Sequence, residues 1–322
     1  MRKAFTPIRV LSLGLLVAGS ASAQLIYEGF NYDPAATMPS GFASNNINGL
    51  NGGTGFQNAW GVPAGGGNPW GQIVTPTLNY SDANGHALVT SGNALQIGTN
   101  GGFATAATPQ RIFTNSSSAG TLGLLAAANA GAPGVIWMSF LYQREGVTTG
   151  APFFRQANLG LFQTTSEKLD VGGPNTSATV NNNLSLWSSG GVHSGSAPLQ
   201  SLTPVFSSSA QFIVLELTVD NTTAADSVSV WFNPTDLSAL GTADLISTGE
   251  VDVSGVNNVR FQAGGSNANG TNALFLADEL RIGYTFGDVA PFLTTVPEPT
   301  AIAFATIGGI SLYVWRRRRS RR

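Results

Sequence analysis

Cysteine is absent from all 322 residues. Disulfide frameworks, thiolate catalysis and cysteine-ligated zinc are therefore excluded together, and the fold must be held by its apolar core. Histidine occurs only twice, at His86 and His193, both among glycine and serine in stretches that read as solvated loops. A Ser-His-Asp site assembles from distant positions, so spacing leaves one open, but the chain has no Gly-x-Ser-x-Gly elbow. Phosphate loops, dinucleotide fingerprints and zinc-ligand spacings are missing as well. No period of roughly 20 to 50 residues repeats, which argues against solenoids and propellers.

Charge is scarce too, at 10% of the chain, and it is unevenly placed. Three of the fifteen basic residues lie in the first 23 and six in the last seven, leaving six against sixteen acids in residues 24 to 296. The body therefore carries a formal charge of −10, although the whole chain reads −2. Such a body cannot neutralise phosphate, so nucleic acid and anionic lipid are poor partners. Calcium and neutral polysaccharide remain compatible. Abundant Gly, Ser, Thr and Asn with 42% hydrophobic residues suit an extracellular all-β domain rich in turns.

The two ends are the most legible segments. Arg2, Lys3 and Arg9 precede the apolar run Val10 to Ala18, and Ala21-Ser22-Ala23 is a small-x-small site. Residues 1–23 thus read as a secretory signal helix cleaved between Ala23 and Gln24; the bland alternative is a buried N-terminal helix. At the other end, Ala301 to Trp315 is uncharged and is followed by Arg316, Arg317, Arg318, Arg319, Arg321 and Arg322. An apolar helix closed by arginines is a stop-transfer pattern, and the positive-inside rule keeps that cluster in the cytoplasm. A full crossing takes about 20 residues, so the run is a short transmembrane helix. Physics alone fits both a permanent tail anchor and a temporary retention device.

Pro297-Glu298-Pro299, the apolar helix with its Gly308-Gly309 step and the terminal arginines, in that order, resemble the PEP-CTERM sorting signal. The resemblance covers residues 297–322. It implies an exosortase as partner beside the secretion machinery, transient residence in the inner membrane, and delivery of the body to the cell surface or extracellular matrix.

In between, residues 24–287 read as the body and 288–296 as a linker. Strand signals fall at 24–32, 134–142, 211–219, 227–232, 256–262 and 273–284, with 211–219 and 227–232 forming a hairpin. Ser118 to Ala130 is the one helix candidate. Gly49 to Gly71 reads as a long ordered loop, and 172–210 as a second polar stretch. The pattern predicts an all-β, two-sheet antiparallel sandwich. Leu25-Ile-Tyr-Glu-Gly-Phe-Asn-Tyr32, Asn51 to Trp60 and Ala277-Asp-Glu-Leu-Arg-Ile-Gly-Tyr284 resemble segments of Verrucomicrobia and Planctomycetes surface proteins. Those are similar to the concanavalin A-like (laminin-G-like) jelly roll, which implies that the first and last strands lie close together.

Candidate chemistry within the body is sparse. Glycoside hydrolysis needs two carboxylates facing one cleft. The nearest match to a Glu-x-Asp-x-x-Glu strand is Glu250-Val-Asp252, where position 255 is glycine. Asp278 and Glu279 are adjacent, so a regular strand sends their side chains to opposite faces. The expectation is a structural or adhesive protein and not an enzyme, with a secreted polysaccharide hydrolase as the alternative. Glu28 on the first strand and Asp278 on the last are candidate ligands for a structural calcium ion, helped by backbone carbonyls; Asp220 and Asp226 are rivals. Trp60, Trp70 and Trp187, in Gly/Asn-rich or polar stretches, are candidate glycan contacts, although packing as a core or loop anchor is the commoner role for such a ring; Trp137 and Trp231 lie inside strands and read as core.

Overall fold

The computed structural model describes residues 25–34, 47–63, 71–98, 107–114, 121–130, 134–145, 156–173, 183–187, 199–205, 209–220, 226–264 and 274–293. The signal segment with Ala23 and Gln24, the tail with Pro297, Glu298, Pro299 and its arginines, Trp70 and His193 all lie outside the described residues. Among the described residues no helix is long and apolar enough to cross a membrane.

The elements run β1 (Ile26–Glu28), β2 (Gly71–Val74), β3 (Ala87–Leu88), β4 (Ala94–Gly98), β5 (Gln110–Ile112), α1 (Thr121–Ala130), β6 (Gly134–Arg144), β7 (Ala157–Gln163) and β8 (Ser166–Gly173). They continue with β9 (Asn183–Trp187), β10 (Leu199–Val205), β11 (Gln211–Val219), β12 (Asp226–Phe232), β13 (Leu245–Val251), β14 (Asn258–Ala263), β15 (Leu274–Gly283), α2 (Phe286–Val289) and β16 (Phe292–Leu293). All pairings are antiparallel. An eight-stranded sheet has the order β13-β12-β11-β6-β15-β4-β2, with β1 also pairing along β15. A six-stranded sheet has the order β10-β9-β8-β7-β14-β5, and β16 pairs with β3. The first and last long strands therefore touch: Ile26 is opposite Ile282 and Glu28 opposite Leu280.

The two sheets pack face to face. Strand residues alternate between faces, and the inward set from both sheets, including Ile136, Phe140, Leu159, Leu161, Ile213, Leu215, Phe261 and Ile282, forms one buried core. Strand β12 shows the rule cleanly, with Val228 and Val230 fully buried and Ser227, Ser229 and Trp231 only half-buried. A second, smaller cluster lies on the other side of the eight-stranded sheet and contains Leu78, Leu88, Leu141, Phe212, Val214, Leu237 and Leu276. Segments 75–91, 233–241 and 286–293 cover it. Tyr80 Oη donates to Pro234 O at 2.7 Å, and Ser139 Oγ donates to Val289 O at 2.6 Å.

Two expectations need correction here. The linker read from Asp288 onward is part of the packed body as far as Leu293. Asp288 closes a capping box with Thr285 at the start of α2, and Phe292 pairs with Leu88. The stretch 172–210 holds strands β9 and β10 where no strand was expected.

Candidate functional site

The tryptophans sort differently from their sequence neighbourhoods. Trp60, a candidate glycan contact for which packing was the commoner reading, is 1% exposed. Its ring stacks on Phe30 at 5.8 Å, and its Nε1–H donates to Glu28 at 3.1 Å. That indole is a core ring and offers no face to a sugar. Trp187 sits opposite Asp170 on the outward side of the six-stranded sheet, but at 3% exposure its ring is covered.

Trp137 and Trp231, expected in the core, pack against the second cluster on the outer side of the eight-stranded sheet, where both are only partly buried. Strands β6 and β12 flank β11. Trp137 is opposite Glu216, and Trp231 is opposite Val214. Their rings meet across β11 with centroids 5.6 Å apart and planes inclined by 26°, roofing the fully buried Val214. Phe286 of α2 supports Trp137 at 5.7 Å. Trp231 Nε1–H donates to Gly241 O at 2.8 Å, which fixes that ring. Polar side chains flank the aromatic pair. Glu216 and Ser229 share a cross-strand row with Trp137, and Thr218 and Ser227 form the next row. Ile246, opposite Ser229 on β13, is 56% exposed. The Glu216 carboxylate is half-buried, and desolvation raises its pKa; among the described residues it has no hydrogen-bond partner. An aromatic floor beside hydroxyls and a carboxylate suits a ligand with an apolar face and a hydroxylated edge.

The carboxylates expected to bind calcium serve the fold. Glu28 is 1% exposed and pairs with Arg111 inside the main core. It also accepts from Phe30 N–H at 3.0 Å and from Tyr32 Oη–H at 2.8 Å. Asp278 belongs to the opposite side of the sheet, where it accepts from Thr77 Oγ1 at 2.5 Å and from the backbone N–H of Leu78 at 2.9 Å. Glu28 and Asp278 thus face different cores, and one ion cannot bridge them. Burial lifts the Asp278 pKa to about 8, with the charge of Glu279 adding to it, against the three donors it accepts. The rival Asp226 is taken up by backbone N–H groups of Asp220, Val253 and Ser254.

The alternation expected at Asp278-Glu279 does not hold. A register shift between Asp278 and Arg281 forms a bulge opposite β6, and Glu279 takes a φ of 54°. The extra residue turns Glu279 onto the same side as Asp278. There its carboxylate accepts from Tyr27 Oη at 3.0 Å and pairs with Arg281. Both carboxylates are fully buried and partnered, so the pair acts as an internal tie. Asp252 is held by Lys168 at 3.2 Å, and Glu250 accepts from Ser247.

His86 is tied into the fold instead of being a solvated loop residue. Its Nδ1 lies 2.7 Å from Asp82 and 3.8 Å from Asp236, with the ring 4.8 Å from that of Phe292. Asp82 also accepts backbone donors from Asn84, His86 and Leu237. Burial pushes its pKa up, but the Leu237 N–H together with the imidazole and N–H of His86 outweigh it and hold the carboxyl at about 2. The cluster locks segment 82–86 to segment 235–238.

No family model matches the chain, and no curated protein matches it. Solved structures similar to it include the endo-β-1,4-glucuronan lyase of the fungus Trichoderma reesei, 12% identical, with a TM-score of 0.39 over 69% of this chain and 90% of that one. A mutant of the alginate lyase Aly36B in complex with an alginate trisaccharide is 7% identical at a TM-score of 0.39 over 65% and 87%. The basic winged bean lectin with Tn-antigen is 9% identical at 0.36 over 63% and 90%. At these identities the likeness is one of strand layout and assigns no residue a role.

Proposed function

We propose that this chain is an exported surface or matrix protein, sorted through its C-terminal tail, whose jelly-roll-type body binds a neutral polysaccharide without cleaving it. The observation that carries the binding reading is the partly exposed Trp137–Trp231 pair with the unpartnered Glu216 carboxylate beside it. Sugar C–H faces stack on indole while their hydroxyls donate to a carboxylate and exchange hydrogen bonds with Ser229 and Thr218. The acidic body favours an uncharged chain over a uronic-acid polymer, since Glu216 would repel a carboxylated sugar.

The test is retention of the full-length protein, in mild detergent, on immobilised neutral and acidic polysaccharides. The native chain should be retained on a neutral polymer, and Trp137→Ala should lose at least tenfold in affinity while unfolding cooperatively. Equal retention of both would remove the platform from the reading. Release of reducing ends or unsaturated sugars would replace binding by catalysis. For sorting, the mass of the protein recovered from its host decides. A native form lacking the apolar helix, with a form carrying alanines at Pro297, Glu298 and Pro299 that keeps it, supports processing. If both keep it and stay with the membrane, the tail is a plain anchor.

A further inference from the structure

A cavity of about 580 Å³ lies on the outer side of the eight-stranded sheet, at the end of β6 away from the tryptophan pair. Its base is one cross-strand row. Gln96 of β4 is opposite Leu276 of β15, and Leu276 is opposite Gln143 of β6. Glu145, just past β6, and Thr75, just past β2, border it as well. Gln143 stands six residues beyond Trp137 on β6, about 20 Å along the strand, so the cavity is separate from the tryptophan platform. Its size is that of a small-molecule site.

The cavity is built from both sides. Asp278 accepts from Thr77 Oγ1 at 2.5 Å and from Leu78 N–H at 2.9 Å, which anchors the 75–79 wall and seats Leu78 in the floor, where it is buried. Opposite, Gln72 donates to Gln96, and Gln96 donates to Glu145 Oε2. That relay fixes the Glu145 carboxylate and leaves its other oxygen free. Among the described residues neither the Gln143 amide nor the Thr75 hydroxyl has a hydrogen-bond partner. Gln143 and Glu145 are both half-buried. Polar groups that are held in place but unpaired give a ligand hydrogen bonds with little ordering still to do.

Among the described residues no aromatic ring lines the cavity, so a sugar ring has nothing to stack on here. The apolar part is aliphatic, made chiefly by Val74, Leu78 and Leu276, and it suits a methyl group. Beside it stand a carboxylate oxygen, which takes a donor, and an amide, which supplies one. We propose that this cavity binds the acetamido group of an N-acetylated amino sugar. The methyl lies on Leu78 and Leu276, the acetamido N–H donates to Glu145, and the Gln143 amide donates to the acetamido oxygen. Thr75 meets a ring hydroxyl. A trans amide points its N–H and C=O in opposite directions. Gln143 and Glu145 match that, two residues and about 7 Å apart along one line of the sheet.

Calorimetry on the full-length protein in mild detergent tests this with two probes of equal length and linkage, the β-1,4-linked trisaccharides of N-acetylglucosamine and of glucose. The acetylated probe should bind at least about tenfold more tightly. Glu145→Ala and Gln143→Ala should each weaken it about five- to tenfold. Both side chains are half-buried, so both variants should keep the native thermal midpoint within about 2 °C. Saturation-transfer NMR on the native chain needs no variant, and there the acetyl methyl should take the strongest saturation. Equal affinity for the two probes overturns the proposal. So does native affinity in either variant, or saturation strongest at the ring protons. Retention on an unacetylated neutral polymer reads the tryptophan platform, so either reading can fail alone.

Discussion

Glu28 and Arg111 are each 1% exposed, and the carboxylate takes four donors from Arg111, Phe30, Tyr32 and Trp60. Arg111 in turn donates to Asn51, to Gly52 O and to Asn58 O, fastening the 51–58 segment over the core. Removing one partner strands a buried charge, so Glu28→Gln should cost about 3–5 kcal/mol in chemical denaturation. Replacing both residues by apolar ones should recover much of that loss. Asp278 gives a pH dependence of definite sign. Its carboxyl rises from 3.8 in the reference state to about 8 in the fold, so the folded form keeps a proton that the unfolded chain releases. Stability should therefore fall as pH rises from about 4 to 8 and level off above that. Asp278→Asn should flatten the slope, as urea midpoints at pH 5 and pH 8.5 will show. At this scale the sequence was a partial guide. A tryptophan inside a strand has only two faces to choose from, and register decides which. Gly/Asn surroundings left Trp60 open between a sugar contact and a packed ring, and the buried carboxylate of Glu28 and the rings of Phe30 and Phe261 claimed it for packing.

Among the elements, β6, β11, β12 and β15 were legible because long apolar, β-branched and aromatic runs leave few alternatives. The bounds expected for 211–219 are those of β11. Strands β7 to β10 escaped notice because polar residues and glycine interrupt their apolar residues and leave no continuous apolar run. Yet Asn183-Leu-Ser-Leu-Trp187 and Ala157-Asn-Leu-Gly-Leu161 alternate strictly, and that period of two was the available signal. The bulge in β15 had no such trace, since a non-glycine residue at φ 54° is dictated by tertiary packing. Glycines also divide at this level. Gly53, at φ 68°, lies against the backbone carbonyl of Tyr27, where Thr54 and Tyr27 exchange hydrogen bonds at 2.8 and 3.1 Å. Gly53→Ala should cost more than about 2 kcal/mol. Gly241 has nothing within 4 Å of an added Cβ, and Gly241→Ala should stay within about 0.5 kcal/mol. Thermal midpoints of the two variants separate these outcomes.

For the whole molecule, one apolar core drawn from both sheets should make unfolding a single cooperative transition. The smaller cluster depends on its covering segments. A chain ended after Tyr284 loses α2 and β16 and uncovers Leu88, Leu141 and Leu276 on the outer side of the eight-stranded sheet. Its midpoint should drop by several degrees in a thermal scan, with increased binding of an apolar dye. All-β class, antiparallel sandwich and meeting of the end strands could be read from patterning and resemblance. The aromatic platform could not, because it is assembled from strands β6 and β12, far apart in sequence, and exists only once their registers against β11 are set.

Those registers are set late. Strand β14 sits between β7 and β5, and β15 joins β6 to β4 and β1. An inner strand of each sheet is thus among the last to emerge from the ribosome. Until about residue 283 is free, β6 lacks one neighbour and β1 has no partner strand, so local order cannot mature into a closed sandwich. Contacts of such long sequence separation form slowly. The topology itself works as a timer that keeps both sheets incomplete through most of the chain's synthesis, then lets them close as β14 and β15 arrive.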